Sequence, residues 1–112
     1  MNDLAAKHCV PCEGGFPALT REQALDFMPH VPGWELAGDA KSISREYVFK
    51  DFKEALDFTN KVGALAEEEG HHPDITLSWG KVGITLSTHS VNGLSENDFI
   101  LGVKVGMLGS AK

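Results

Sequence analysis

Apolar residues recur at intervals of three and four in some stretches of this chain and at intervals of two in others, and the alternation predicts the element order α-β-β-α-β-β-α. Thr20 opens a short helix with Gln23 three positions on as a capping box. Ala24, Leu25, Phe27 and Met28 give it an apolar face before Pro29 and Pro32 stop it. Trp34 to Ala37 is a candidate strand, Gly38-Asp39 a turn, and Ser42 to Phe49 a longer strand in which Ile43, Tyr47 and Phe49 alternate with Ser44, Glu46 and Val48. Asp51 and Glu54 form a second capping box, after which Phe52, Ala55, Leu56, Thr59, Val62 and Ala66 define a long helix closed by Gly70. Ser95 caps a final helix, with Asp98 at the capping-box position and Phe99, Ile100, Val103 and Met107 on one face, ending near Gly109. Residues 1–19 lack periodicity and read as a lead segment, leaving 20–112 as one domain.

Between the long helix and the last one the pattern predicts a tight hairpin around Gly80-Lys81. With glycine at the first central turn position, Trp79 faces Val82, Leu77 faces Ile84, Ile75 faces Leu86, and His72 faces His89. In that register Ile75, Leu77, Trp79, Val82, Ile84 and Leu86 share the core side, whereas Thr76, Ser78, Thr85 and Ser87 share the other. Trp79 is therefore expected to pack in the core. No helix separates the paired strands, so the expected fold class is α+β: a four-stranded antiparallel sheet with about three helices packed on one face.

Composition narrows the function classes. A chain of 112 residues holds one domain and no separate dinucleotide-binding unit. The net charge of −6 and the absence of a Lys/Arg run argue against a nucleic-acid surface. No apolar stretch is long enough to span a bilayer, and the N-terminus lacks a signal pattern, so the expected location is the cytoplasm. Cys9 and Cys12 form a Cys-Val-Pro-Cys pair with only His8 nearby. That is short of a zinc site and outside an α/β redox context, and a structural or incidental role fits it better.

The candidate chemistry lies in His71, His72 and His89, which the hairpin register gathers. Imidazole has an ordinary pKa near neutrality, about 6.5, so a cluster holds donor and acceptor forms together, as proton transfer requires. Glu67, four residues before His71, and Asp98, at the start of the last helix, are placed to approach the cluster, where a carboxylate fixes a tautomer or favours the charged ring. Asp98 also reads as a plain capping acid, and the two roles are compatible. Glu67, Glu68 and Glu69 stand at the unfavourable end of the helix dipole; for the latter two a solvated rim is the simplest account. Histidines with a carboxylate also suit zinc or iron, but adjacent His71 and His72 on an extended segment point to opposite sides, and no His-Glu-x-x-His helix is present.

Glu67, His71-His72-Pro73, Trp79, Ile84-Thr85-Leu86-Ser87-Thr88-His89, Gly93-Leu94-Ser95 and Asp98, in this order and spacing, resemble the pterin-4a-carbinolamine dehydratase family, also described as a dimerization cofactor of a homeodomain transcription factor. The resemblance covers roughly residues 20 to 108. It implies dehydration of a 4a-hydroxytetrahydropterin to a quinonoid dihydropterin, in recycling of a tetrahydrobiopterin-type cofactor, with no metal or redox cofactor. His71 and His89 would act as acid and base and His72 would orient the substrate, while Glu67, Pro73, Thr88, Asp98 and Trp34 would line its site. A homodimer or homotetramer is expected. The alternative is a non-catalytic dimerization or assembly partner on the same scaffold, which retention of all three histidines disfavours.

Overall fold

The computed structural model describes residues 17–108, so the Cys9–Cys12 reading lies outside the described residues. Helix α1 (Arg21–Phe27) starts at Thr20, where the expected capping box is complete: Gln23 N–H donates to Thr20 Oγ1 and Thr20 N–H donates to Gln23 Oε1. A short 3₁₀ turn, Met28–His30, follows. Strands β1 (Glu35–Leu36) and β2 (Ile43–Val48) pair antiparallel and are shorter than the predicted runs at both ends. Helix α2 (Phe52–Glu69) is capped by Asp51, whose side chain accepts from Glu54 N–H, while the Glu54 carboxylate accepts from Lys50 N–H, one residue outside the expected box. Strands β3 (Asp74–Ser78) and β4 (Lys81–Leu86) and helix α3 (Glu96–Leu108) complete the domain.

The sheet is antiparallel in the order β1-β2-β4-β3. Ile43, Tyr47, Val82, Ile84 and Leu86 are buried on its inner face, against Ala24 of α1, Ala55, Phe58 and Val62 of α2, and Phe99, Leu101 and Val105 of α3. This is the predicted α+β architecture. The outer face carries small and polar side chains, Ser44, Glu46, Thr76 and Thr85, none of them buried.

Three expectations about packing need correction. The hairpin register is displaced by one whole pair: Leu77 faces Val82 and Ile75 faces Ile84. Gly80 takes the second central turn position with φ +70°, which leaves Trp79 at the first, and the Gly80 carbonyl accepts a hydrogen bond from Phe49 N–H on the neighbouring chain segment. Displacement by a pair preserves each strand's inward set, which is why the core residues are those expected. It also moves Trp79 to the hairpin tip, where it is 71% exposed rather than packed in the core, and it removes the pairing of His72 with His89, since β3 begins only at Asp74.

On α2 the buried stripe is Ala55, Phe58, Val62, Ala66 and Glu69, so Phe52 and Leu56 face outward. The helix has turned by about one residue from the predicted face, because Phe58 fills the space beside Tyr47 and Phe49, with ring centroids 4.7 and 5.1 Å away. Leu25 of α1 is likewise exposed. At the edge of the core, the partly exposed Arg45 lies 4.5 Å over the Tyr47 ring and donates to the Pro32 carbonyl; burial pushes the Tyr47 hydroxyl pKa up, and the adjacent guanidinium partly offsets this.

Candidate active site

The cap that ends α2 explains why the end of that helix meets the start of α3 at His71. Gly70 ends α2 in the left-handed region, φ +67°, and both Gly70 N–H and His71 N–H return to the Ala66 carbonyl. This termination satisfies an otherwise orphaned carbonyl and turns the chain sharply, so His71 leaves the helix pointing toward the start of α3. There its Nε2 lies 2.6 Å from Asp98 Oδ1. The imidazole is mostly shielded, 12% exposed, and the carboxylate is fully buried.

Asp98 is the hub. Its Oδ2 accepts from Ser95 N–H at 3.0 Å and from the Thr88 hydroxyl at 2.8 Å, and Thr88 Oγ1 is 2.8 Å from Ser95 Oγ. A buried carboxylate costs several kcal/mol to desolvate, and these charge-assisted bonds are what compensate it. The capping role and the imidazole contact, read separately in the sequence, are thus performed by the two oxygens of one side chain. Because Asp98 accepts on both oxygens, the network assigns the donor to His71 Nε2–H, which leaves Nδ1 as the ring nitrogen that the carboxylate does not engage.

His89 is linked to this centre by chain connection, through Thr88, rather than by strand pairing. It follows Thr88 directly and begins a 3₁₀ turn, His89–Val91, that the bridge between Thr88 and Gly93 closes. Its exposed ring borders a hollow of about 100 Å³ lined by Lys41, Ser87, Thr88, Asn92 and Gly93. His72 turns the other way, as neighbours on extended chain do, and places its Nε2 2.6 Å from Glu67 Oε2 in an exposed pair. The two predicted carboxylates therefore serve different rings, Asp98 holding His71 and Glu67 holding His72. Pro73, partly exposed, separates the pair from β3.

Other site expectations fall elsewhere. Trp34 is 5% exposed and walls a separate cavity of about 400 Å³ with His30, Val31, Pro32, Arg45, Val103 and Met107, whose lining includes none of the three histidines. A hollow of about 550 Å³ on the open sheet face is likewise without them. Glu69, expected in a solvated rim, is 8% exposed and accepts from Lys104 Nζ at 2.8 Å, while Glu68 is exposed as anticipated. Lys41 and Lys104 had no local signal in the sequence, because Lys41 borders the His89 hollow and Lys104 meets Glu69 only through the fold. Among the described residues no group of His, Cys, Asp and Glu side chains is arranged to hold a metal ion, and no helix is long and apolar enough to cross a membrane.

Comparison with known proteins points in one direction. A family model described as Pterin 4 alpha carbinolamine dehydratase matches residues 17–107. A provisionally named pterin-4-alpha-carbinolamine dehydratase from Methylococcus capsulatus is 52% identical over 105 residues, covering 94% of this chain and 92% of its own. One from Rubrobacter xylanophilus is 48% identical over 108 residues, covering 96% and 100%. Among solved structures, a transcriptional coactivator/pterin dehydratase from Brucella melitensis has a TM-score of 0.77 at 30% identity, over 82% of this chain and 98% of that one. A pterin dehydratase-like protein described as a RuBisCO assembly factor in the alpha-carboxysome has a TM-score of 0.61 at 25% identity, over 71% and 93%.

Proposed function

The chain belongs to the pterin 4 alpha carbinolamine dehydratase family, and from that premise we propose that it eliminates water from a 4a-hydroxytetrahydropterin by histidine acid and base catalysis. The observation that carries the reading is the convergence of His71, Thr88 and Ser95 on the buried Asp98 carboxylate, beside His89 in the chain. Elimination needs one proton delivered to the departing 4a-hydroxyl and one removed from N5, near neutral pH. His71, with Nε2–H committed to Asp98, offers Nδ1 for proton transfer, and the exposed His89 ring supplies the second group. His72, steadied by Glu67, orients the pterin. The C4a–O bond breaks with its electron pair leaving on the protonated hydroxyl as water. The N5–H bonding pair forms the new C=N bond, and the quinonoid dihydropterin departs.

The substrate of this reaction is what aromatic amino-acid hydroxylation leaves behind, so the role we assign is cofactor recycling in the cytoplasm, performed by the domain spanning residues 20–112. Mixing the protein with freshly generated 4a-hydroxytetrahydropterin in a stopped-flow spectrophotometer should accelerate formation of the quinonoid product in proportion to protein concentration. A rate equal to that in buffer would overturn the assignment and favour the non-catalytic assembly role that one structural neighbour's description suggests.

We further infer a homodimer or homotetramer. Strands β1 and β3 are the sheet's two edges, and α2 presents Phe52 and Leu56 at 43% and 38% exposure on its outer side. Light scattering on a sizing column should give a mass of at least about twice the 12.1 kDa chain at micromolar concentration. A lone 12.1 kDa species would refute this.

A further inference from the structure

The last turn of α2 carries a feature that the site chemistry does not use. Glu69 and Lys104 form an ion pair, Nζ to Oε2 2.8 Å, with side chains only 2% and 13% exposed. Neither charge is where stability alone would put it. A carboxylate in the last turn of a helix opposes the dipole, and a shielded ion pair gains little net stability over an apolar pair of the same volume. The pair's position supplies a reason for it. Glu69 is the last residue of α2, and only Gly70, at φ +67°, stands between it and His71. Gly70 N–H and His71 N–H both return to Ala66, so the ring just beyond the helix is located only as well as its last turn is seated. On the other side Lys104 lies on α3 six residues after Asp98, about 9 Å along the helix axis. The α2 terminus is therefore tied to α3 at two points, once through Glu69–Lys104 and once through His71–Asp98.

We propose that the Glu69–Lys104 ion pair is a positioning clamp that seats the end of α2 against α3, so that His71 meets Asp98. An unmatched charge at either position draws the helix end toward water, and the shift passes through Gly70 to the ring. Matching is what matters: an apolar pair that fills the same space closes the same gap. The two residues are positioning residues, since neither touches the imidazole in the contacts described.

A double-mutant cycle tests the clamp on the full chain, read in two ways. Lys104→Met and Glu69→Gln should each lower kcat about tenfold while KM stays within about twofold, the pattern for a displaced reacting group with substrate binding intact. Histidine-selective NMR should show the hydrogen-bonded His71 Nε2 proton broadened by exchange in both single variants. The matched pair Glu69→Leu with Lys104→Met should restore the sharp Nε2 proton and most of kcat. The kinetic readout rests on the dehydratase reading; the NMR readout does not, and so decides the clamp even if turnover is absent. Single variants that keep a sharp Nε2 proton, or a matched apolar pair that folds yet shows the two losses combined, overturn the proposal. Should a single variant fail to fold by circular dichroism, the matched pair and the reversal Glu69→Lys with Lys104→Glu decide it. Sharp Nε2 protons in both support the clamp, and broadening in both folded proteins refutes it.

Discussion

Asp98→Ala should cost the fold about 3 kcal/mol or more and lower turnover by about 10²-fold in the same variant, because one buried carboxylate serves both ends. Its removal leaves the Ser95 N–H and the Thr88 hydroxyl without their acceptor and takes away the partner that fixes the His71 ring. For a domain of this size, 3 kcal/mol corresponds to a melting temperature lower by roughly 10 to 20 °C. Asp98→Asn separates the two roles. Its amide oxygen still caps α3 and accepts from Thr88, so most of the melting temperature should return. Its NH₂ then faces His71 Nε2, and the ring satisfies that donor only by moving its own proton to Nδ1, the atom the reaction needs free. Turnover should stay about 10²-fold down while stability recovers, checked by calorimetry and stopped-flow on the same preparations. An Asn variant with full activity would show that the tautomer held by Asp98 is irrelevant to the chemistry.

Replacing the two histidines proposed as acid and base should have the other large effect. His71→Ala and His89→Ala should each lower kcat by about 10²-fold or more, and the double variant should fall short of the product of the two losses, because a proton donor without its partner acceptor accelerates little. The stability consequences differ. His71 is mostly shielded and its loss strands Asp98 Oδ1, so that variant should melt earlier. His89 is exposed on a short turn, and its loss should leave the melting curve close to that of the parent. Stopped-flow rates for the single and double variants, set beside their melting curves, check both statements. A double variant with undiminished turnover would remove the histidines from the mechanism.

Much of the architecture was legible in the sequence, because caps and periodicity are local signals. Thr20 with Gln23, Asp51 with Glu54, Gly70, and Ser95 with Asp98 marked the helix ends within a residue or so. The inward residues of β4 followed from alternation alone. The hairpin register was not legible for a definite reason: burial distinguishes odd displacements from even ones, and a shift by a complete pair leaves the inner set unchanged. Only the turn decides between the two, and Gly80 suits either central position by its lack of a side chain.

The site was legible as a set of residues and not as a set of contacts. His71, His72, His89, Glu67 and Asp98 were singled out by type and spacing, but which carboxylate serves which ring depends on the direction in which α2 releases the chain. That Glu69 lies inside rather than in water depends on Lys104, a residue 35 positions away that no pattern near Glu69 reveals. Trp79 was misplaced by an argument from alternation, whereas Trp34 was assigned through the resemblance. Alternation says which side of a strand a residue takes, and says nothing once the residue lies beyond the strand's end, as Trp79 does.

The left-handed stop at Gly70 has a mechanical corollary. An α-helix of 18 residues is a stiff rod about 27 Å long, and the imidazole at its tip is fastened to it by the backbone bond from His71 to Ala66. Phe52 and Leu56 stand uncovered near the far end of the same rod. A load applied there bears on the same rigid element that carries the His71 ring at its other end.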